Sequence, residues 1–198
     1  MIWAIILTAI IAYLLGSISF SIIFTKKFAG FDVRQKGSGN AGSTNVLRTA
    51  GKKPAILTLI CDVLKGVVAV LVAFLMGKIA NADVWNAALL IQIAGVCVVL
   101  GHTFPIFFGF KGGKGVATAL GVLLITNWQI GLICLVFALV LMAITRIVAL
   151  GSIAAAILFP VLCFFITNNF LVGDSSTRIS YLVFGIIMAL IVIFNHRS

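Results

Sequence analysis

The sequence predicts an all-α, polytopic integral membrane protein, on three observations. Of its 198 residues, 63% are hydrophobic and only 9% charged, with a mean hydropathy of +1.28; a soluble domain carries roughly 25% charged residues. Apolar runs recur along the whole chain, separated by short polar segments. The net charge is +10, and half of the basic residues (Lys26, Lys27, Arg34, Lys36, Arg48, Lys52, Lys53) crowd between the first two runs. At about 20 residues per crossing there is room for roughly five to seven spans and no separate soluble domain. Residues 1–198 therefore read as a single transmembrane domain.

Met1 to about Thr25 forms the first span, with Gly16, Ser17, Ser19 and Ser21 on its later half, where small residues permit close helix packing. It shows no basic leader region and no A-x-A-like site, so it reads as a retained helix. Residues 26–53 form the first loop. Pro54 opens the second span, which runs to about Met76; proline suits the first turn of a helix. Asn86 to about Gly101 is the third span. Val116 to about Thr126 is apolar but short, and Asn127-Trp128-Gln129 interrupts it before Gly131–Thr145. One helix over all of this would exceed the bilayer thickness, so the region divides into a short fourth span and a fifth. Ser152 to about Ile166 is the sixth span, 168–178 a polar connector, and Ile179 to about Phe194 the last. The expectation is about seven transmembrane helices, or about five if the short fourth segment is merged or does not cross. The positive-inside rule puts the basic 26–53 loop in the cytoplasm and the N-terminus outside. Residues 101–115, 146–152 and the C-terminal tail are then cytoplasmic too.

Two polar islands stand out. One is Gly37-Ser38-Gly39-Asn40-Ala41-Gly42-Ser43-Thr44-Asn45 through Arg48; the other runs from Gly101-His102-Thr103-Phe104-Pro105 to Lys111-Gly112-Gly113-Lys114-Gly115-Val116-Ala117-Thr118. Glycines let backbone N–H groups approach an anion, and neighbouring cations suit phosphate. Two such loops point to chemistry on phosphorylated molecules at the bilayer surface. Gly37-x-Gly39-x-x-Gly42 is no dinucleotide fingerprint, because that motif needs a preceding strand. No P-loop spacing fits the second island either.

Other chemistry is poorly supported. Cys61, Cys97, Cys134 and Cys163 are scattered singly in apolar segments, which suggests buried inert thiols rather than metal ligands or disulfides. Nothing resembles a basic, aromatic-interleaved nucleic-acid surface. With four acidic residues, no Ser-His-Asp set assembles. The His-x4-Asp pattern of thioester-dependent acyltransferases is absent, since Phe107 follows His102 at that spacing. Asp62 and Lys65, three apart, share a helix face within the second span and read as a structural ion pair near the site. His102 reads as hydrogen-bonded scaffolding. His196, at the cytoplasmic end of the last helix, has an ordinary pKa of about 6.5 that suits base chemistry. Ser152 reads either as a helix N-cap or as a ligand-binding hydroxyl.

These two islands resemble the motifs of the bacterial acyl-phosphate:glycerol-3-phosphate acyltransferase family, and the resemblance extends along the whole chain. A third family motif, Arg-His-x-x-Asn-Ile, is partly present: His196 matches, and Asn195 stands in the arginine position. The resemblance implies transfer of a fatty acyl group from acyl phosphate to the 1-hydroxyl of glycerol 3-phosphate, giving lysophosphatidate and phosphate. It implies no metal, no coenzyme A and no other cofactor, a bacterial plasma-membrane location, and a functional link to the enzyme that makes acyl phosphate. It assigns Ser38, Arg48, Lys114, Ser152 and His196 to glycerol 3-phosphate, with Ser38, Lys114 and His196 closest to the chemistry. Asn40, Gly42, Thr44 and Asn45, with Gly112, Gly113 and Gly115, go to the acyl phosphate. The base is His196 or the donor phosphate itself. A small transporter of a phosphorylated metabolite would use similar loops, but it should carry its site near the midplane.

Overall fold

A computed structural model describes residues 1–166 and 178–197. Among them are nine α-helices: α1 (Ile2–Gly16), α2 (Phe20–Ala29), α3 (Ser43–Ala50), α4 (Lys52–Ile79), α5 (Val84–Thr103), α6 (Val116–Thr126), α7 (Trp128–Thr145), α8 (Val148–Phe165) and α9 (Arg178–Asn195). Short 3₁₀ turns lie at Val33–Gln35, just before the first polar island, and at Ile106–Phe108, within the second. The all-helical, membrane-embedded class is as expected. Helices satisfy their own backbone in an apolar medium, which is why such a composition takes this form.

Six segments are long and apolar enough to cross a bilayer, among the described residues: Ile2–Ala29, Lys52–Ile79, Val84–Phe108, Trp128–Thr145, Val148–Phe165 and Arg178–Asn195. The expected short fourth span, Val116–Thr126, has the expected bounds and 11 residues. At 1.5 Å per residue that is about 16 Å, well short of a hydrocarbon core of about 30 Å. The start of α9 meets the end of α6 where Tyr181 and Thr126 share a hydroxyl hydrogen bond at 2.9 Å. The end of α9 meets the far side, where Asn195 donates to Thr103 Oγ1 at 3.0 Å.

The first span is not one helix. It breaks at 17–19 into α1 and α2. The small residues there do what close packing needs: a Cβ on Gly16 would collide with the carbonyl of Val98 and stand 3.0 Å from Gly101 Cα. α1 can therefore lie against α5 backbone to backbone. The loop expected over 26–53 is largely structured, holding the end of α2, the Val33–Gln35 turn and α3. The helix α8 begins at Val148, four residues before the expected start, so Ser152 is interior to it. Its buried hydroxyl donates to the Val148 carbonyl at 3.0 Å, which rules out the N-cap reading. The expected 168–178 connector lies outside the described residues apart from Arg178, as does Ser198.

Candidate active site

The site is built at the end of α5. The last carbonyls of a helix lack intrahelical partners. Here the second island folds back and supplies them: Gly112 N–H donates to Thr103 at 3.0 Å and Gly113 N–H to His102 at 3.1 Å. The outward carbonyl of Gly112 then accepts the N–H of Ala41, in the first island, at 3.2 Å. The carbonyl of Ala41 accepts from Ser21 Oγ on α2 at 2.9 Å. Three pieces distant in sequence, α2, the first island and the second island, are thereby joined. The approach is close enough that only glycine fits at 113, where a Cβ would collide with His102 Nε2 and stand 2.8 Å from the Ala41 carbonyl.

This geometry corrects one expectation about the glycines. The N–H groups of Gly112 and Gly113 face protein carbonyls, so these residues unite the islands and have no N–H left for an anion. Gly115 differs: at φ +84 it is the N-cap of α6. The opening N–H groups of α6 follow it, and those of α3 follow Gly42. Both helices therefore start within a few residues of the Ala41–Gly112 bond, and the first turn of a helix favours anions.

Asn45 also departs from its expected part. It is 2% exposed, its Oδ1 accepts the Ser38 N–H at 3.1 Å, and its Nδ2 lies within 3.2 Å of the carbonyls of Val33, Lys36 and Asn40. Its amide is committed to shaping the loop. The Ser38 backbone is held by it, and the Ser38 side chain is exposed. Asn40 packs its Nδ2 beside Gly42, and Thr44 lies half-buried in the first turn of α3. Arg48, exposed on α3, has no hydrogen bond or ion pair to its guanidinium among the described residues.

Lys114 and His196 are brought together by α9. Asn195 Nδ2 donates to Thr103 Oγ1 at 3.0 Å and reaches the Lys114 carbonyl at 3.4 Å. The next residue, His196, has Nδ1 2.8 Å from the Val192 carbonyl. A carbonyl can only accept, so Nδ1 carries the proton and Nε2 is the basic nitrogen of the neutral ring. Burial pushes the His196 imidazole below its ordinary pKa; the bond to Val192 pulls it back up, and the charge of Lys114 lowers it again. Ser152 is not brought to the islands by any hydrogen bond among the described residues.

Other contacts hold the site from behind. Arg34 Nη2 and Nε grip Asp32 at 2.8 and 3.0 Å, while Nη1 donates to the Phe108 carbonyl at 2.6 Å and the Lys111 carbonyl at 3.3 Å. Tyr13 donates its hydroxyl to the Phe104 carbonyl at 2.7 Å. Sequence reasoning missed Arg34, Asp32, Tyr13, Ser21 and Asn195 as parts of the site. The short Asp32-x-Arg34 spacing is the one signal that could have singled out the first pair.

Fold and site together describe a polytopic helical membrane protein whose two glycine-rich islands are joined by a backbone hydrogen bond. A profile of the family described as glycerol-3-phosphate acyltransferase matches residues 6–198. The chain is 43% identical over 197 residues to the glycerol-3-phosphate acyltransferase of Clostridioides difficile (strain 630), covering 100% of this chain and 90% of that protein. It is 41% identical over 199 residues to the enzyme of the same name from Nostoc sp. (strain PCC 7120 / SAG 25.82 / UTEX 2576), covering 96% of this chain and 84% of the relative. Among solved structures it resembles PlsY (YgiH), an integral membrane glycerol 3-phosphate acyltransferase, in its glycerol 3-phosphate form. That match has a TM-score of 0.80 at 37% identity, covering 98% of this chain and 88% of the other. The lysophosphatidic acid form of PlsY gives a TM-score of 0.79 at 36% identity, with the same coverages. The chain belongs to the glycerol-3-phosphate acyltransferase family.

Proposed function

We propose that the protein transfers a fatty acyl group from acyl phosphate to the 1-hydroxyl of glycerol 3-phosphate, forming lysophosphatidate and inorganic phosphate. The observation that carries this reading is the Ala41–Gly112 bond, which makes one site of two anion-favouring loops. The reaction needs two phosphorylated molecules side by side despite their like charge. Arg48 and Lys114 offset that repulsion, and the opening turns of α3 and α6 add N–H donors.

Glycerol 3-phosphate is held by Ser38, Arg48 and Lys114. The donor phosphate lies against Asn40–Thr44 and Gly115, in a loop shaped by Asn45 and by the inward-turned Gly112 and Gly113. The acyl tail stays among the exposed apolar residues Phe104, Ile106, Phe107 and Phe110, and so in the lipid phase. The glycerol oxygen attacks the acyl carbonyl carbon, the carbon–oxygen bond to phosphate breaks, and phosphate leaves with the electron pair. The proton of the hydroxyl passes to His196 Nε2. Because the mixed anhydride carries its own leaving group, positioning and charge neutralisation supply most of the acceleration. Ser152 stands outside this arrangement.

The basic residues at 26–53 support a cytoplasmic site with the N-terminus outside, and the bacterial relatives support a plasma-membrane location. The donor assignment is tested by giving purified protein glycerol 3-phosphate with either acyl phosphate or acyl-coenzyme A. Turnover with acyl phosphate alone is expected; equal rates with both would refute the donor.

A further inference from the structure

A buried charged cluster lies behind the islands and takes no part in the proposed reaction. Asp62, Lys65 and His102 are 2%, 5% and 7% exposed. Lys65 Nζ stands 2.8 Å from Asp62 Oδ1, and the same oxygen is 3.5 Å from His102 Nδ1. The ammonium also donates to the carbonyls of Gly16 and Ile18, each at 3.0 Å. Gly16 is the last residue of α1, and Ile18 lies in the middle of the break between α1 and α2. Without a partner in an apolar interior these two carbonyls would be costly to bury.

Followed outward, the cluster has two arms that converge. One runs from Lys65 through Asp62 to His102, whose carbonyl holds the Gly113 N–H and whose ring edge abuts the Gly113 Cα. The other runs from Lys65 through Gly16 and Ile18 to α2, where Ser21 holds the Ala41 carbonyl. Both arms end at the Ala41–Gly112 junction. A salt bridge needed only to bury two charges would require neither the helix break nor the histidine.

We infer that Lys65 is a positioning residue for acyl transfer: by fixing the α1–α2 break on one side and Asp62–His102 on the other, it sets the separation of the two glycine islands. The inference rests on the acyl-transfer reading above, and its test includes a readout independent of turnover. Removing Lys65 alone would strand the Asp62 carboxylate, so the informative variant is Lys65→Met combined with Asp62→Asn in the full chain. Spin labels at Ser43→Cys and Phe107→Cys, in a background with the four native cysteines replaced, report the distance between the islands by pulsed electron resonance.

In the double variant we expect a broadened label distance, a thermal midpoint lowered because the Gly16 and Ile18 carbonyls lose their donor, and, in the folded protein, a kcat at least ~30-fold lower. Lys65→Arg, which keeps charge and donors, should narrow the distance again and recover most of the rate. A wild-type distance distribution in the folded double variant overturns the inference, whatever the rate does. If the double variant does not fold, His102→Gln carries the test, since it keeps a donor for Asp62 but removes the ring edge from Gly113. A broadened distance with reduced kcat there supports the inference, and wild-type values of either overturn it. A wild type inactive with acyl phosphate would count against the reaction alone, leaving the distance measurement to decide the role of Lys65.

Discussion

Ala41 donates its N–H to the carbonyl of Gly112 at 3.2 Å, joining loops 71 positions apart in the chain. The contact is backbone to backbone, and the nearby glycines exist to allow it. Replacing Gly113 by alanine should therefore act on both islands at once. The added Cβ must displace His102 or Ala41. We expect at least ~10-fold loss of kcat/KM for both substrates and a lowered thermal midpoint, since close-packed regions respond to a single added methyl. Kinetics and thermal unfolding in detergent check this, and a defect confined to one substrate would contradict it.

Arg48→Ala and Lys114→Ala should leave the thermal midpoint near wild type, because neither side chain is deeply buried. A charge-assisted hydrogen bond contributes about 1.5–3 kcal/mol, so each should lower kcat/KM for glycerol 3-phosphate by about 10- to 150-fold. Wild-type steady-state kinetics in either variant would remove that residue from the site.

The pH dependence of the rate should report His196. Its folded pKa is pushed down, chiefly by burial, so the ring is neutral at pH 7. In the proposed reaction the neutral ring is the base. The rate should stay level above the ordinary histidine value of about 6.5 and fall only as pH drops below it. His196→Gln should abolish that acid limb. An unchanged limb in the variant would move the base to the donor phosphate.

The Asp32–Arg34 clamp gives a second pH signature. Its hydrogen bonds to Arg34 hold the Asp32 carboxyl below the usual carboxylate range. A depressed folded value means the stabilisation is complete above the unfolded value of about 3.9 and is lost as pH falls through the folded one. Asp32→Asn should mimic that loss at neutral pH. Protease accessibility of 106–111 is expected to rise in the variant at pH 7 and, in wild type, only in strong acid.

Much of this architecture is legible in the sequence, because apolar runs and basic loops follow directly from the physics of a bilayer. The bounds of α6 and the Asp62/Lys65 pairing could be read from residue type and spacing alone. The α1–α2 break could not, since the cation bound to it, Lys65, lies 49 positions from the Gly16 carbonyl. The sequence also shows that Gly112, Gly113 and Asn45 can make hydrogen bonds but not to what. The carbonyls left at the end of α5 and those of the first loop lay within reach and took them. In the sequence Arg34 is one of seven basic residues in the first loop, and nothing there shows that its guanidinium binds the Phe108 and Lys111 carbonyls, more than 70 positions away.

The central claim, that the joined islands form one site for two phosphorylated substrates, is tested most directly by the stoichiometry of the purified protein. Acyl phosphate and glycerol 3-phosphate are supplied together and singly, and released phosphate and lysophosphatidate are counted over time. The expected result is equal amounts of both products, formed only when both substrates are present. Phosphate release that continues without glycerol 3-phosphate, or no lysophosphatidate with both present, would contradict the account.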